Sequence, residues 1–172
     1  MRRRTALILA AATALSAPTQ SVAQMFTPGD ELMLAYAPKV IHFNPSDEHV
    51  DWNHFVALEL QTKRTAIGPA DRASFGAAVF NNSFGQFSQY LYWGQIYNLK
   101  RVGPGTLYAK FTAGLILGYK EPYEDKIPFN NNGVAPVIIP TLGYRIDRMS
   151  GEVALLGTAG LLIAVTYNFG PR

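Results

Sequence analysis

Between Leu107 and Tyr119 the sequence keeps a strict two-residue rhythm. Leu107, Ala109, Phe111, Ala113, Leu115, Leu117 and Tyr119 fall on one parity, and Tyr108, Lys110, Thr112, Gly114, Ile116 and Gly118 on the other. Successive side chains of a β-strand point to opposite faces, so this rhythm predicts one extended strand with a bulky apolar face and a smaller, mixed one. The same rhythm returns near the C-terminus, where Leu161, Ile163, Val165, Tyr167 and Phe169 alternate with Leu162, Ala164, Thr166 and Asn168. A soluble barrel or sandwich needs a polar outer face, whereas a barrel in a bilayer needs an apolar one. Here both faces of several strands are largely apolar or small, and the bilayer reading is favoured.

From Val40 onward the chain divides into segments of roughly ten residues, rich in Tyr, Phe, Val, Ile and Leu and separated by turn residues, as antiparallel strands are. The expected strands are Lys39–Asn44, Trp52–Thr62, Ala73–Asn82, Ser88–Leu99, Leu107–Tyr119, Val134–Arg145, Glu152–Gly157 and Gly160–Phe169. Gly68-Pro69-Ala70-Asp71, Gly103-Pro104-Gly105, Asn130 to Gly133 and Asp147 to Gly151 supply the turns. The fold class expected is all-β: a small closed antiparallel up-and-down outer-membrane β-barrel of about eight strands, the smallest such barrel. Upstream, FTPGDELMLAYAP is cut by Pro28, Gly29 and Pro38 and leaves room for at most one short helix. An inner face that is not charged argues against a wide aqueous pore, and a narrow, partly apolar interior suits an acyl chain. A soluble periplasmic barrel is the alternative architecture.

Proline has no N–H for a strand ladder. Pro38 at the start of the first expected strand is explained by a bend near the rim. Pro136 and Pro140 lie four apart inside VAPVIIPTLGY and point to a place where the wall is unzipped.

The N-terminus has a basic start, an apolar middle and a Ser-Val-Ala ending before Gln24, the pattern of a secretory signal over residues 1–23. The mature chain, 24–172, is expected to form a single barrel domain. Removing Arg2, Arg3 and Arg4 from 15 basic residues leaves 12, against 12 acidic residues, so the basic character belongs to the signal and no nucleic-acid partner is implied. With no cysteine, an exported chain cannot rely on disulfides.

The three histidines lie within IHFNPSDEHVDWNH, with Asp47, Glu48 and Asp51. Their spacings match no recognised metal-ligand pattern, and no metal is expected. His49 reads as a loop residue, and His54, alternating with Trp52 and Val56, as part of an interfacial aromatic belt. His42 ends a short strand, and Ser83 ends another in FNNSFGQ, so both meet the same rim if both strands run upward. A serine within reach of a histidine is the minimum for acyl transfer by nucleophile or general base. Spacing alone equally allows Asn81, Asn82 and Ser83 to be the start of a loop. No glycine-rich phosphate loop and no Gly-x-Ser-x-Gly elbow is present, so cofactor enzymes are unsupported and no cofactor is expected.

Several short motifs occur in an order that resembles the lipid A palmitoyltransferase (PagP) family of the outer membrane, over most of the chain from about Tyr36. YAPKVIHF resembles the family's Tyr-x-Pro segment leading to its catalytic histidine, and FNNSF its Phe-x-Asp-Ser-aromatic motif. KFTAGLILGY and VAPVIIPTLGY resemble its Phe-Thr-Ala-Gly strand and its proline-bearing strand. The resemblance implies a barrel that moves a palmitoyl chain from a membrane phospholipid to lipid A, with no protein partner, as a monomer. It implies catalytic roles for His42, Ser83 and Asn82, the last standing where the family has an aspartate. Gly94 would be the inward glycine at the floor of the acyl pocket, and Pro38, Pro136 and Pro140 the lateral entrances for lipid. The alternative function is a catalytically inert outer-membrane barrel that binds or passes a lipid or small amphiphile, for which Asn82 is the best sequence evidence, because an amide cannot ionise.

Overall fold

A computed structural model describes residues 28–170, and the expected signal over residues 1–23 lies outside them. The strands are β1 (Glu31–Ala37), β2 (Val40–His42), β3 (Phe55–Thr62), β4 (Arg72–Asn81), β5 (Phe87–Val102), β6 (Gly105–Leu117), β7 (Val134–Ile146), β8 (Met149–Leu155) and β9 (Gly160–Phe169). Each pairs antiparallel with its neighbour in the order β1-β3-β4-β5-β6-β7-β8-β9, and β9 returns to β1 from Leu32↔Phe169 to Tyr36↔Val165. Eight strands thus close the barrel. β2 is a ninth, continuing the line of β1 against β9 beyond Pro38, with Val40↔Leu162 and His42↔Gly160 in register.

FTPGDELMLAYAP, which left room for at most one short helix, holds none among its described residues: Glu31–Ala37 is the first barrel strand. Met33, Ala35 and Ala37 are buried while Leu34 and Tyr36 are exposed, a period of two that a stretch this short hides in the sequence. The segment taken as the first strand, Lys39–Asn44, contributes only the three residues of β2. β8 begins at Met149 because the β7–β8 turn is only Asp147-Arg148, with Asp147 at φ 54° as a tight hairpin requires. Alternation in β6 and β9 runs as read: Lys110, Thr112, Ala164 and Thr166 face in, and Phe111, Leu115, Ile163 and Val165 face out.

Glycines opposite tyrosines shape the interior. Tyr92 lies across its pair partner Gly76, and Tyr108 across Gly143, where a Cβ would run into the ring in each case. Both phenols thereby reach a buried charge cluster. The Lys110 ammonium donates to both oxygens of Glu152 (2.8 and 2.9 Å) and to Glu59 (3.4 Å). Tyr92 donates to Glu59 (2.9 Å), Tyr108 to Glu152 (2.7 Å) and the Gln61 amide to Glu59 (2.8 Å). The expectation of an uncharged inner face is therefore wrong for this half of the barrel. From Gln61 the network continues through Asn168 to Glu31 and its ion pair with Arg72, at the end where β1 begins and β9 finishes. The half nearer His42 is lined instead by Met33, Ala35, Phe55, Phe80, Val137 and Ile139.

Removing one member of a buried, hydrogen-bonded ion cluster strands the remaining charges. Lys110→Met should lower unfolding stability by about 3–5 kcal/mol, measured by denaturant unfolding in detergent micelles. A loss below about 1 kcal/mol, the scale of an exposed pair, would contradict this description of the cluster.

Candidate functional site at the open rim

Pro38 interrupts the first strand, and its neighbours reroute the hydrogen bonds it cannot make. Its carbonyl accepts the N–H of both Asn53 and His54 (2.9 and 3.0 Å). The buried Asn53 amide, two residues before β3, then bridges β2 and β4: its oxygen accepts the Val40 N–H (2.8 Å), and its nitrogen donates to the Asn81 carbonyl (2.9 Å). β2 is thus tied to the end of β4 although no ladder joins them. Gly160 allows β9 to press close to β2, since a Cβ there would collide with the backbone of Ile41 and His42.

These ties bring His42, at the tip of β2, to Ser83, just past β4. His42 Nε2 and Ser83 Oγ are 2.7 Å apart. With the ring proton on Nδ1, Nε2 accepts the serine proton, the geometry a base and its hydroxyl require. Ser83 is fixed from two further sides: its carbonyl accepts the Val50 N–H (2.9 Å), and its hydroxyl and backbone lie at the Tyr119 phenol. Burial lowers the His42 pKa below 6.5, and the nearby His49 lowers it further. Burial raises that of Tyr119 above 10.0, so the phenol stays protonated at neutral pH.

Asn82 does something other than touch the pair. Its side-chain oxygen accepts the N–H groups of Phe84 and Gln86 (both 3.0 Å) and its nitrogen donates to the Gln86 side chain (3.1 Å). It shapes the turn that presents Ser83 and is an Asx-type organiser of that turn. Gln86 extends the brace, donating to the carbonyls of Lys120 and Glu121 in the β6–β7 loop.

Below the pair lies a cavity of about 350 Å³, open at this rim between the β6–β7 loop (Lys126 to Phe129) and the β8–β9 turn (Gly157 to Ala159). Its walls are mostly apolar, and its inner end meets Tyr92, Lys110 and Glu152. Gly94 is not part of its wall, contrary to its expected place at the floor. It faces inward but is packed between Ser74 and Thr112, where a Cβ would meet both. Pro136 and Pro140 lie opposite Leu115 and Phe111 of β6, while the β7–β8 ladder begins only at Thr141. Val134 to Pro140 therefore has no β8 partner among the described residues, an unladdered seam beside the cavity. The break at Pro38 differs, because Asn53 clasps it.

Tyr36, Trp52 and His54 form an exposed aromatic group on the outer wall, with the Tyr36 hydroxyl 3.1 Å from His54 Nδ1. Asn53, which carries the strand bridge, escaped the sequence reading, and His49, read there only as a loop residue, stacks its ring on His42 with centroids 3.9 Å apart. No periodicity marks either one. No protein-family model matches the chain, and no curated protein is significantly similar to it.

Asn53→Ala should leave the Val40 N–H and the Asn81 carbonyl without partners and cost about 1–3 kcal/mol. Amide hydrogen exchange would register it as faster exchange at Val40, with β6 unaffected; unchanged protection at Val40 would show that the bridge is not what holds β2.

Proposed function

We propose that the protein is an outer-membrane acyltransferase that moves a palmitoyl-type chain from a phospholipid to lipid A. The observation that carries this reading is the 2.7 Å contact between His42 and Ser83 beside a mostly apolar cavity. An acyl chain in the cavity leaves its ester at the rim, next to the hydroxyl of Ser83 and its base His42. Ser83 Oγ attacks the ester carbonyl as His42 takes its proton. His42 then gives that proton to the departing lysophospholipid oxygen, leaving the chain on Ser83. A lipid A hydroxyl attacks this ester, His42 accepts its proton and returns it to Ser83.

The outer wall supports a bilayer setting. Leu58, Phe75, Leu91, Phe111, Ile138 and Val165 are exposed around the barrel, and soluble monomers rarely present so continuous an apolar surface. Tyr36, Trp52 and His54 fit an interfacial belt below the rim. The unladdered seam at Pro136 and Pro140 suits lateral entry of a chain from the membrane, better than the clasped break at Pro38. A catalytically inert lipid-binding barrel is the second reading, favoured by Asn82, an amide that is engaged in its own turn and supplies no carboxylate to the histidine.

Mass spectrometry of lipid A from cells producing the parent, His42→Ala or Ser83→Ala chain separates the two. Acyl transfer predicts one added chain with the parent and a loss of at least about a hundredfold with either variant. Equal acylation by all three, or none by a correctly inserted parent, overturns the reading.

Because His42 must be neutral to act, and its pKa is lowered by burial and then by His49, the rate should rise with pH through a point below 6.5 and be level at neutrality. A rising limb centred above 7 would contradict His42 as the base.

A further inference from the structure

A histidine that works as a base is commonly held by a third group, most often a carboxylate on its other nitrogen. Here the residue next to Ser83 is Asn82, and its side chain is occupied within the turn. The group that does contact the His42 ring is another imidazole. His49 stacks on it at 3.9 Å with the planes 24° apart. On its far side His49 meets the edge of Phe84 at 5.4 Å, and Phe84 in turn lies flat on Tyr123 at 4.2 Å. The backbone closes the circuit, for the residue after His49 donates its N–H to the Ser83 carbonyl, and Phe84 follows Ser83 directly. The His49 Nδ1 is buried and has no hydrogen-bond partner, so the ring is held by its faces and edges and not by a polar bond.

We propose that His49 is a positioning residue: stacked on His42 and backed by Phe84, it holds the His42 ring with Nε2 on Ser83, the task a carboxylate performs elsewhere. The inference rests on the acyl-transfer reading only for its effect on rate. Stacking can orient a neutral ring without the charge of a carboxylate, but two protonated imidazoles at this distance repel. The His42 pKa, lowered first by burial, is lowered further by His49. Around His42, β9 presents Gly160 and the β4–β5 turn presents Ser83, neither ionisable; Tyr119 at the end of β6 faces it only through Ser83. Asp47, Glu48 and Asp51 share the loop of His49 and are exposed. His49 is thus the ionisable group in direct contact with His42.

The test compares His49→Ala with His49→Phe in the full-length protein in detergent micelles, reading the His42 ring nitrogens by NMR against pH and, separately, transfer from phospholipid to lipid A. His49→Phe keeps a flat ring and removes the titration, so Nε2 should keep its hydrogen-bonded acceptor signal, the His42 pKa should move up toward 6.5, and transfer should be largely retained. His49→Ala should shift the pKa the same way but lose the acceptor signal, and transfer should fall about tenfold to a hundredfold, the scale of a misplaced catalytic group. An unchanged His42 signal and rate in His49→Ala, or equal losses in both variants, overturns the proposal. If no protein, parent included, transfers an acyl chain while the NMR contrast between the variants holds, positioning stands and the acyltransferase reading is the one that fails.

Discussion

The buried cluster of Glu59, Lys110 and Glu152 decides what the rest of the barrel can be. Three ionised side chains can lie inside only because each is met by hydrogen bonds, from Tyr92, Tyr108 and Gln61 as well as from one another. The two tyrosines reach them over Gly76 and Gly143, so side-chain size on four strands is set by this one group of charges. The cluster and the chain of bonds leading to Arg72 fill one half of the interior. The other half is left as a mostly apolar cavity that reaches the rim where His42 and Ser83 meet.

At the open end the controlling feature is a defect. Pro38 stops the first strand, and the chain resumes as β2 without a ladder to β3. Asn53 replaces the lost ladder by a side-chain bridge, which sets the height of His42 against Ser83. The second proline site has no such replacement, so the wall beside β7 stays unladdered over Val134 to Pro140. Similar residues thus give one sealed break and one open seam, and what differs is a buried asparagine.

Much of the barrel was legible because alternation is a local signal: Leu107 to Tyr119 and Gly160 to Phe169 declare both faces within one segment. Glu31–Ala37 was not legible, since seven residues between turn signals give the two-residue period little length to stand out. His42 and Ser83 were picked out as strand ends in a motif order, and the structure brings them into contact. Gly94 shows the limit of such transfer, because whether an inward glycine opens a pocket depends on which neighbours fill its space. Asn53, Glu59 and His49 act through partners 13 to 51 positions away or through a loop conformation, and such pairings leave no spacing to read: Asn53 meets Val40 and Asn81, and Glu59 meets Lys110, whose ammonium Glu152 also holds.

The most direct measurement is stoichiometric. Purified barrel, in mixed micelles with a phospholipid labelled in one acyl chain and with lipid A, is followed for both products by mass spectrometry. Acyl transfer at His42 and Ser83 predicts lysophospholipid and singly acylated lipid A appearing one for one. Lysophospholipid alone, or neither product from a barrel whose fold is intact, would contradict it.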